Sequence, residues 1–529
     1  GFGGSTVYVR AGVYNELVWI GQKFGRSPEK VFTLQNYPGE RPVIDRNYTD
    51  QLAIHIASNY VTVKGFEIRN LKDDPTRRWA SGAIEIEDGF HHIAIEENLI
   101  HHVIGGRHTA RGIAVSEGAH DILIRNNTVH HITGHPESMG IQADGATAVT
   151  IRRNLVYLVD KEGIRLITQD TDTENFVEEN ITLHCHMGIA INNCRTDKAI
   201  RVRNNFSGWN WGRGINPKHT LNCVVEHNTL IGNGDWGYDS HGSGSLKNDV
   251  VYLTLKNNLF SRNRVEWWLD EREVLYETVD SNFYHHTGSE PLALFNWSAA
   301  DECHTLKDIQ EKTKDKGALN GPYETNGKEG DPGFVAPEQG DYRLKPDAAA
   351  RGVGDDGKEA GAIEGALVEV GADRAWSLRN IPDLGWLPMT VESFSSETEQ
   401  GPAGNVADGL KTTYWEIDAA KDAQREIVLA LPGEKPTPLT EIVLVKYRGD
   451  DTYFYNDFAV YADDGSGTWK EIPAPPAHPF RGYGGLHNGE IWSLPEGTLA
   501  RRIKVNILSG FGDTIRIPGI RLYNRTVEA

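Results

Sequence analysis

Three polar side chains near the middle of the chain have the types and spacing that acid–base chemistry needs. Asp239 and His241 lie close together in the segment WGYDSHG, and Lys218 lies one repeat earlier in RGINPKH. A lysine and a histidine can act as general base and general acid, and a neighbouring carboxylate can orient the histidine. Lys218 and His241 are therefore a candidate proton-transfer pair, provided that the fold brings the two segments together.

Both segments belong to a repeat that covers much of the chain. A glycine followed by a short strand recurs with one period, as in RGIAVSEG, MGIQADG and WGYDSHG. Between these markers, alternating apolar segments end in asparagine eight times, at Asn98, Asn127, Asn154, Asn180, Asn205, Asn228, Asn258 and Asn282. This period is typical of one coil of a parallel β-helix, in which stacked coils bury a continuous core. Buried asparagines at one turn can hydrogen-bond along the stack.

The segments at both ends of the repeat are similar to those of a known superfamily. TVYVRAGVYNELVWI resembles the opening coils of pectate-lyase-like proteins, and GDPGFVAPEQGDYRLKPDAAARGVG resembles their last coil. The resemblance implies an all-β fold with a right-handed parallel β-helix. We expect this domain to cover residues 1–365 and a linker to cover residues 366–390.

The alternation within each coil separates inward from outward side chains. Ile113 and Val115 are expected to point into the core, and Ala114 and Ser116 outward. The same phase predicts one outward face that carries Asp144, Arg165, Asn192, Asn216, Lys218, Asp239 and His241. Neighbouring coils lie about 4.8 Å apart, so Lys218 and His241 should be neighbours in one column.

Short matches to two kinds of uronate-processing β-helix suggest β-elimination or C5-epimerisation. The segments around Lys218 and His241 resemble those of chondroitinase-B-type and alginate lyases, and WGYDSH is similar to a Tyr-Gly-Phe-Asp-Pro-His stretch of mannuronan C5-epimerases. Trp236 and Ser240 replace the epimerase Tyr and Pro, and the lyase arginine is missing. The resemblance implies Lys218 as base and His241 as acid, oriented by Asp239. The substrate carboxylate would be held by Arg165, or by a cation bound to Asn192 and Asn216.

Glycoside hydrolysis by two carboxylates is the alternative chemistry. Asp239 and Asp270 lie on successive coils and can form such a pair, whereas Asp144 and Asp239 are four coils and about 19 Å apart. The net charge of −20 suits a neutral glycan better than an acidic one, and it argues against nucleic acid as a partner. A non-catalytic glycan-binding surface protein is the second alternative.

Tryptophans cluster in and beside the turns of the later coils. Because sugar rings present flat C–H faces, exposed tryptophans beside a sheet favour a polysaccharide or oligosaccharide substrate. We expect this role for Trp209, Trp211, Trp236, Trp267 and Trp268.

The last part of the chain has a different pattern, with longer strands and no asparagine repeat. The segments NVADGLKTTYWEI, FAVYADDGSGTWKEI and ARRIKVNI resemble a discoidin-type (coagulation factor 5/8 C-terminal) β-sandwich, expected over residues 391–529. The resemblance implies possible carbohydrate binding and a structural calcium ion near Asp408 and Thr413. Oxygen ligands from a loop suit calcium.

Cysteine and hydropathy patterns limit the remaining classes. The spacing of the four cysteines fits no zinc motif, and Cys185 and Cys194 are expected to be buried thiols. No apolar run has the length of a membrane span. The architecture predicts a secreted, periplasmic or cell-surface protein.

Overall fold

The computed structural model describes residues 4–73, 82–106, 108–135, 137–168, 172–194, 198–240, 252–269, 275–295, 302–314, 322–382, 386–408, 413–418, 425–445, 455–475, 490–510 and 514–524. Within these residues the first two thirds of the chain form three parallel sheets, called A, B and C, which each coil visits in turn. The predicted right-handed parallel β-helix is confirmed.

Each sheet is a stack of short strands that pair with the equivalent strands of the preceding and following coils. Sheet A contains Thr6–Val9, Phe32–Asn36, Val61–Lys64, His91–Glu96, His120–Arg125, Thr147–Arg152, Asn175–Glu178, Ile200–Arg203, Cys223–Glu226, Tyr252–Lys256 and Leu275–Asp280. Sheet B contains Val13–Tyr14, Val43–Asp45, Glu67–Lys72, Leu99–Ile104, Thr128–Thr133, Leu155–Val159, Ile181–Leu183, Phe206–Gly208, Thr229–Ile231, Leu259–Ser261, Phe283–His285 and Lys328–Glu329. Sheet C contains Val18–Ile20, Ile54–Ile56, Gly82–Ile86, Arg111–Val115, Met139–Asp144, Glu162–Ile167, Met187–Asn192, Arg213–Lys218, Trp236–Ser240, Val265–Leu269, Ala293–Phe295 and the antiparallel Glu302–Cys303.

The asparagine repeat forms a hydrogen-bonded ladder inside the turn between sheets A and B. Asn180 is representative: its backbone N–H and its Nδ2 both donate to Oδ1 of Asn205, at 2.9 and 3.0 Å. Its own Oδ1 accepts the same two bonds from Asn154, at 2.9 and 3.0 Å. All eight predicted asparagines are fully buried and take part in this ladder, which confirms the prediction.

A second, shorter ladder runs through Asn210, Asn233 and Asn263, each five positions after a member of the first ladder. Both ladders end at a buried carboxylate. Asn263 Nδ2 donates to Glu266 at 2.5 Å, and Asn282 Nδ2 donates to Glu324 at 2.7 Å. The carboxylates accept the bonds that no further asparagine accepts.

The interior of the solenoid is filled by the inward side chains of all three sheets. Ile113 and Val115 are almost fully buried in this core, as the alternation predicts. Cys185 and Cys194 are buried free thiols, as predicted, and so are Cys223 and Cys303.

After the last coil, the chain reverses and packs along the outer face of sheet B. The short helix Leu306–Thr313 precedes the last sheet B strand and packs Ile309 against the solenoid core. After that strand, Phe334–Ala336 and Asp341–Leu344 form a small hairpin. The backbone N–H of Gly361 then donates to the carbonyl of Asn257 at 2.8 Å, and that of Gly371 to the carbonyl of Arg153 at 2.9 Å. Both carbonyls lie in turns between sheets A and B. Residues 366–381 thus lie against the solenoid, although the expected domain limits remain a prediction.

The C-terminal part is a β-sandwich of the predicted discoidin-like type. One sheet contains Thr390–Phe394, Glu426–Ala430, Arg502–Gly510, Tyr455–Asp463 and Lys470–Ile472, and the other contains Glu490–Ser493, Glu441–Val445 and Gly519–Tyr523. Two further pairs join Trp415–Asp418 to Thr514–Ile517 and Thr437–Pro438 to Leu499–Ala500. Short 3₁₀ turns occur at Pro28–Lys30, Pro337–Gln339 and Ala403–Ala407.

The sandwich docks on sheet B through apolar side chains and a row of histidines. Val443, Val445 and Tyr523 pack in one cluster with sheet B residues such as Leu155. His102 Nε2 contacts Ser493 Oγ at 3.0 Å, and His131 Nε2 contacts Glu441 Oε1 at 3.2 Å. Burial lowers the pKa of His102 well below its ordinary value, so that its contact with the hydroxyl uses a neutral ring.

None of the helices in the described part of the chain combines the length and hydrophobicity that crossing a bilayer requires.

Removing one rung should destabilise the solenoid strongly. In Asn180→Ala, the buried N–H groups of Asn154 lose their acceptor, and each unsatisfied buried donor costs about 1–3 kcal/mol. We expect a loss of about 3 kcal/mol or more in denaturant unfolding followed by circular dichroism. The exposed Asn15, which makes one bond to Asp45, is the control, and Asn15→Ala should cost below about 1 kcal/mol. Equal losses in the two variants would contradict the role of the ladder.

Glu324 should make stability depend on pH. Burial raises its pKa to about 7, above the ordinary value of 4.5. A carboxyl whose pKa is raised by folding stabilises the protein fully below the unfolded pKa and loses that contribution as the pH rises through 7. Between about pH 4.5 and 7.5 the loss should reach about 3 kcal/mol. Urea titrations should show a flatter pH dependence for Glu324→Gln than for wild type; parallel curves would show that Glu324 does not titrate in this range.

Candidate functional site

The predicted outward face lies on sheet C and has the predicted phase. Strand register pairs Gln142 with Arg165 and Arg165 with Ala190, and one further strand pairs Ala190 with Asn216. Asn216 Nδ2 donates to the carbonyl oxygen of Asp239 on the next coil, at 2.8 Å. These residues therefore form one outward column.

A second outward column lies beside the first, toward the end of each strand. Its register joins Asp144 to Ile167 and Asn192 to Lys218. Asp144 is exposed, whereas Asn192 and Lys218 are half-buried. His241, the predicted next member, and Asp270, the predicted hydrolytic partner of Asp239, lie outside the described residues.

Asp239 points outward, as the alternation predicts, and is nevertheless fully buried. Its side chain is 0% exposed and its Oδ2 lies 2.5 Å from Arg213 Nε, which is itself 4% exposed. The Arg213 guanidinium lies 5.2 Å from the ring centre of Trp236. The orientation of His241 by Asp239 stays a prediction, and Arg213 is a partner of Asp239 in the described part of the chain.

Arg165 lies in a cluster of alternating charges at the start of its strand. Its Nη1 is 3.6 Å from Glu137 Oε2 and 3.7 Å from Glu162 Oε2. Lys161 Nζ contacts Glu137 and lies 3.8 Å from Glu162 Oε1. Burial raises the pKa of Glu162, and the charges of Lys161 and Arg165 oppose that shift. When Glu162 is protonated, Lys161 and Arg165 still contact the carboxylate of Glu137.

Several buried polar atoms on this face have no hydrogen-bond partner among the described residues. They include Gln142 Oε1, Glu162 Oε2, Arg165 Nε and Asn192 Oδ1. Buried polar atoms are nearly always paired, so a group of unsatisfied ones marks a place where a polar ligand can bind.

The tryptophans do not form the predicted row of exposed sugar platforms. Trp267 is fully buried in the solenoid core, where its Nε1 donates to Tyr284 at 3.0 Å. Trp211 is also fully buried, and Trp209 is half-buried beside Tyr342 of the returning chain. Sugar stacking by Trp211 and Trp267 is therefore excluded by their packing. The prediction failed because tryptophans next to turns were assumed to face solvent.

Trp236 and Trp268 do lie on the sheet C face, packed against each other with ring centres 5.3 Å apart. Trp236 is 6% exposed and Trp268 is fully buried. Trp236 packs against Arg213, and Trp268 packs in the same apolar cluster as Trp236. Neither ring presents an open face on which a sugar can stack.

Sequence reasoning missed Arg213, Glu137 and Lys161. Arg213 occupies the position immediately before the repeated glycine, in register with Met187 and Trp236. Glu162 precedes the glycine of an earlier coil in the same way. The residue before each glycine marker is thus a third column, which the alternation does not reveal because it places Glu162 and Arg213 in the same phase as the inward Ile164 and Ile215.

The predicted calcium neighbours in the sandwich lie close together. Thr413 Oγ1 donates to Asp408 Oδ2 at 2.6 Å. A carboxylate and a hydroxyl fit the oxygen chemistry of calcium, but they supply only part of the six to eight ligands that it takes. Calcium therefore remains a prediction.

Comparison with known proteins supports both parts of the fold. A family model for a right-handed β-helix region matches residues 139–266, and the F5/8 type C domain model matches residues 390–517. No curated protein matches. Together these matches define the chain as a parallel β-helix joined to a discoidin-like domain.

Solved structures similar to the chain include carbohydrate-binding modules of family 32. The module of Clostridium perfringens NanJ, solved with galactose, is 19% identical, with 26% of this chain and 98% of that one covered and a TM-score of 0.23. The module of Streptococcus pneumoniae EndoD is 18% identical, with 27% and 100% covered and a TM-score of 0.22.

Substitution of Arg213 tests whether its buried ion pair with Asp239 stabilises the fold at the candidate site. Removing one partner of a buried ion pair costs about 3–5 kcal/mol, because the other charge remains buried. We expect Arg213→Met to lose that much in denaturant unfolding, and the double variant with Asp239→Asn to recover part of it. Arg201→Met, which breaks an exposed pair with Glu174, should cost below about 1 kcal/mol. A single variant as stable as wild type would refute the importance of the pair.

Proposed function

We propose that the protein is a carbohydrate-active enzyme whose site is the covered face of sheet C between the strands Met139–Asp144 and Trp236–Ser240. The observation that carries the proposal is the group of buried, unsatisfied polar atoms on Gln142, Glu162 and Arg165. A glycan presents many hydroxyls, each of which can both donate and accept a hydrogen bond. It is therefore a ligand that can satisfy amide oxygens and a guanidinium at the same time.

The cations of the site favour a glycan that carries carboxylates. The chain as a whole has a charge of −20, yet Lys161, Arg165, Arg213 and Lys218 all lie on this one face. Asp239 pairs with Arg213, and in the described part of the chain Lys161 and Arg165 contact Glu137 and Glu162. Burial raises the pKa of Glu162 and so weakens its competition for the Arg165 guanidinium, which can then pair with a uronate carboxylate.

The best-supported reaction at a uronate is β-elimination. In this reaction a base removes the C5 proton, the C4–O4 bond breaks, and a C4–C5 double bond forms while an acid protonates O4. Arg165 would hold the carboxylate and stabilise the charge that develops on it. Lys218, one column away and two coils further along, would act as base in its neutral form, and His241 as acid. C5-epimerisation uses the same proton abstraction followed by reprotonation on the other face.

Hydrolysis is supported as a second candidate by Glu137 and Glu162 rather than by the pair of Asp239 and Asp270. Both carboxylates lie within 3.7 Å of Arg165 Nη1. The raised pKa of the buried Glu162 suits a general acid, and the side chain of Glu137 is 42% exposed. Asp239 is a weaker candidate because Arg213 already holds its carboxylate.

The remaining assignments are part of the same proposal. The discoidin-like domain would bind glycan and hold structural calcium near Asp408 and Thr413. The protein would act outside the cytoplasm, as secreted, periplasmic or cell-surface enzymes on polysaccharides do. A glycan-binding protein without catalysis is the outcome expected if binding occurs and no product forms.

The elimination reaction can be tested with a panel of polyuronates and neutral polysaccharides. Full-length protein should raise the ultraviolet absorbance of an unsaturated uronate, and Lys218→Met and Arg165→Met should each lower the rate by about 10²-fold or more. Arg201→Met on sheet A is the control and should keep full activity.

Other outcomes distinguish the alternatives. Reducing sugar released without ultraviolet absorbance, and lost in Glu162→Gln, would replace elimination with hydrolysis. Product formation that is unchanged in all of these variants would place the active site elsewhere.

A further inference from the structure

A group of histidines on the outer surface of sheet A lies apart from the candidate active site. His91 and His92 begin one strand, and His120 begins the strand of the next coil, in register with His91. Asp121 follows His120. Sheet A and sheet C are different faces of the solenoid, so the proposed function does not use these residues.

The three imidazoles are close enough to share one ion. One ligand nitrogen from each of His91, His92 and His120 can be chosen so that all three lie within 4.8 Å of one another. His91 Nδ1 and His92 Nδ1 are 2.7 Å apart, and the rings of His91 and His120 stack at 4.6 Å. Tetrahedral zinc with bonds of about 2.0–2.1 Å places its ligands about 3.3–3.4 Å apart. Small side-chain rotations therefore suffice to reach that geometry.

Asp121 adds the feature that metal-binding histidines usually have. Its Oδ2 lies 2.8 Å from His120 Nδ1, and 3.6 Å from His92 Nδ1. A carboxylate that accepts a hydrogen bond from one ring nitrogen fixes the tautomer, so that the other nitrogen can bind the metal. The same carboxylate oxygen thus lies beside two of the three imidazoles of the group.

Similar histidine pairs on sheet B show what a structural role looks like in the same fold. His101 with His102 and His130 with His131 repeat the close Nδ1–Nδ1 contact, at 2.6 and 2.5 Å. Their outer nitrogens contact neighbouring groups, including Ser493 and Glu441 of the docked sandwich.

The sheet A group, in contrast, is open to solvent. The side chains of His92 and His120 are each 42% exposed, and that of Asp121 is 47% exposed. A hydrated ion can therefore reach the group without moving another part of the described structure.

We propose that His91, His92 and His120 bind one divalent transition-metal ion of the zinc class, with Asp121 as the carboxylate that positions His120. Imidazole nitrogens select zinc, nickel or copper over magnesium and calcium, which prefer oxygen ligands. The ion joins two successive coils of sheet A, because His91 and His92 lie on one coil and His120 on the next. It therefore acts as a clip that stabilises the early coils, independently of any chemistry on sheet C.

Zinc titration of the full-length protein tests this site. After treatment with EDTA and dialysis, calorimetry with zinc chloride should show one tight site per chain and no binding of magnesium chloride. His92→Gln and His120→Gln should each weaken zinc binding by about tenfold or more, and Asp121→Asn by about tenfold. The control is His304→Gln, which changes an exposed histidine outside the group and should leave zinc affinity unchanged.

Thermal unfolding supplies a second readout that also shows whether the variants fold. Without zinc, all variants should unfold cooperatively near the wild-type Tm, because the substituted side chains are exposed. Added zinc should raise the Tm of wild type and of His304→Gln, but not that of His92→Gln or His120→Gln. The proposal is overturned if wild type takes up no zinc, or if both variants bind zinc as tightly as wild type.

Discussion

The coils of the solenoid from Asn98 onward depend on one constraint: the amide groups in the buried turn between sheets A and B must find acceptors without water. A side-chain amide meets this need because it accepts on one atom and donates on another. Asn154, Asn180 and Asn205 pass the same pair of hydrogen bonds from coil to coil. The buried N–H of Phe66 donates into the first rung at Asn98, at 3.0 Å.

The ladder fixes where each coil turns, and this in turn fixes the side chains that carry chemistry. With the turn held by Asn205 and Asn228, the strands of sheet C begin at equivalent positions, so that Arg213 meets Trp236 in register. In these coils the buried ladder and the sheet C column that contains Arg213 therefore keep the same register.

Much of the fold and part of the site can be predicted from the sequence, since a repeat with strict alternation determines the direction of every side chain. Asn216 and Lys218 lie on the predicted face for this reason. The direction in which a side chain points does not determine whether other side chains bury it, however. Asp239 points outward as predicted and is nevertheless buried against Arg213, because long neighbouring side chains lie over it.

The tryptophans and the docked sandwich show the same limit. Trp267 follows the inward phase of its strand, which its position in register with Tyr238 reveals only once the coils are aligned. Tyr342 packs against Trp209 because the chain returns along sheet B after the last coil. That returning segment contains no repeat, so a periodic pattern cannot predict its contacts. Contacts between segments that are distant in sequence, such as His131 with Glu441, are likewise invisible to pattern reasoning.

The carboxylate at the end of each ladder has a consequence for how such a protein can change its length. The bonds between side chains are directional: each amide donates to the Oδ1 of the next asparagine toward the C-terminus, while its second N–H donates to a backbone carbonyl of the preceding coil. Only the last acceptor, Glu324 or Glu266, differs in kind. Each internal coil offers its asparagine Oδ1 to the preceding coil and donates its backbone N–H and Nδ2 to the following coil, as its neighbours do. Whole coils can therefore be duplicated or deleted in the course of evolution without redesign of the interior, as long as the terminal acid is retained.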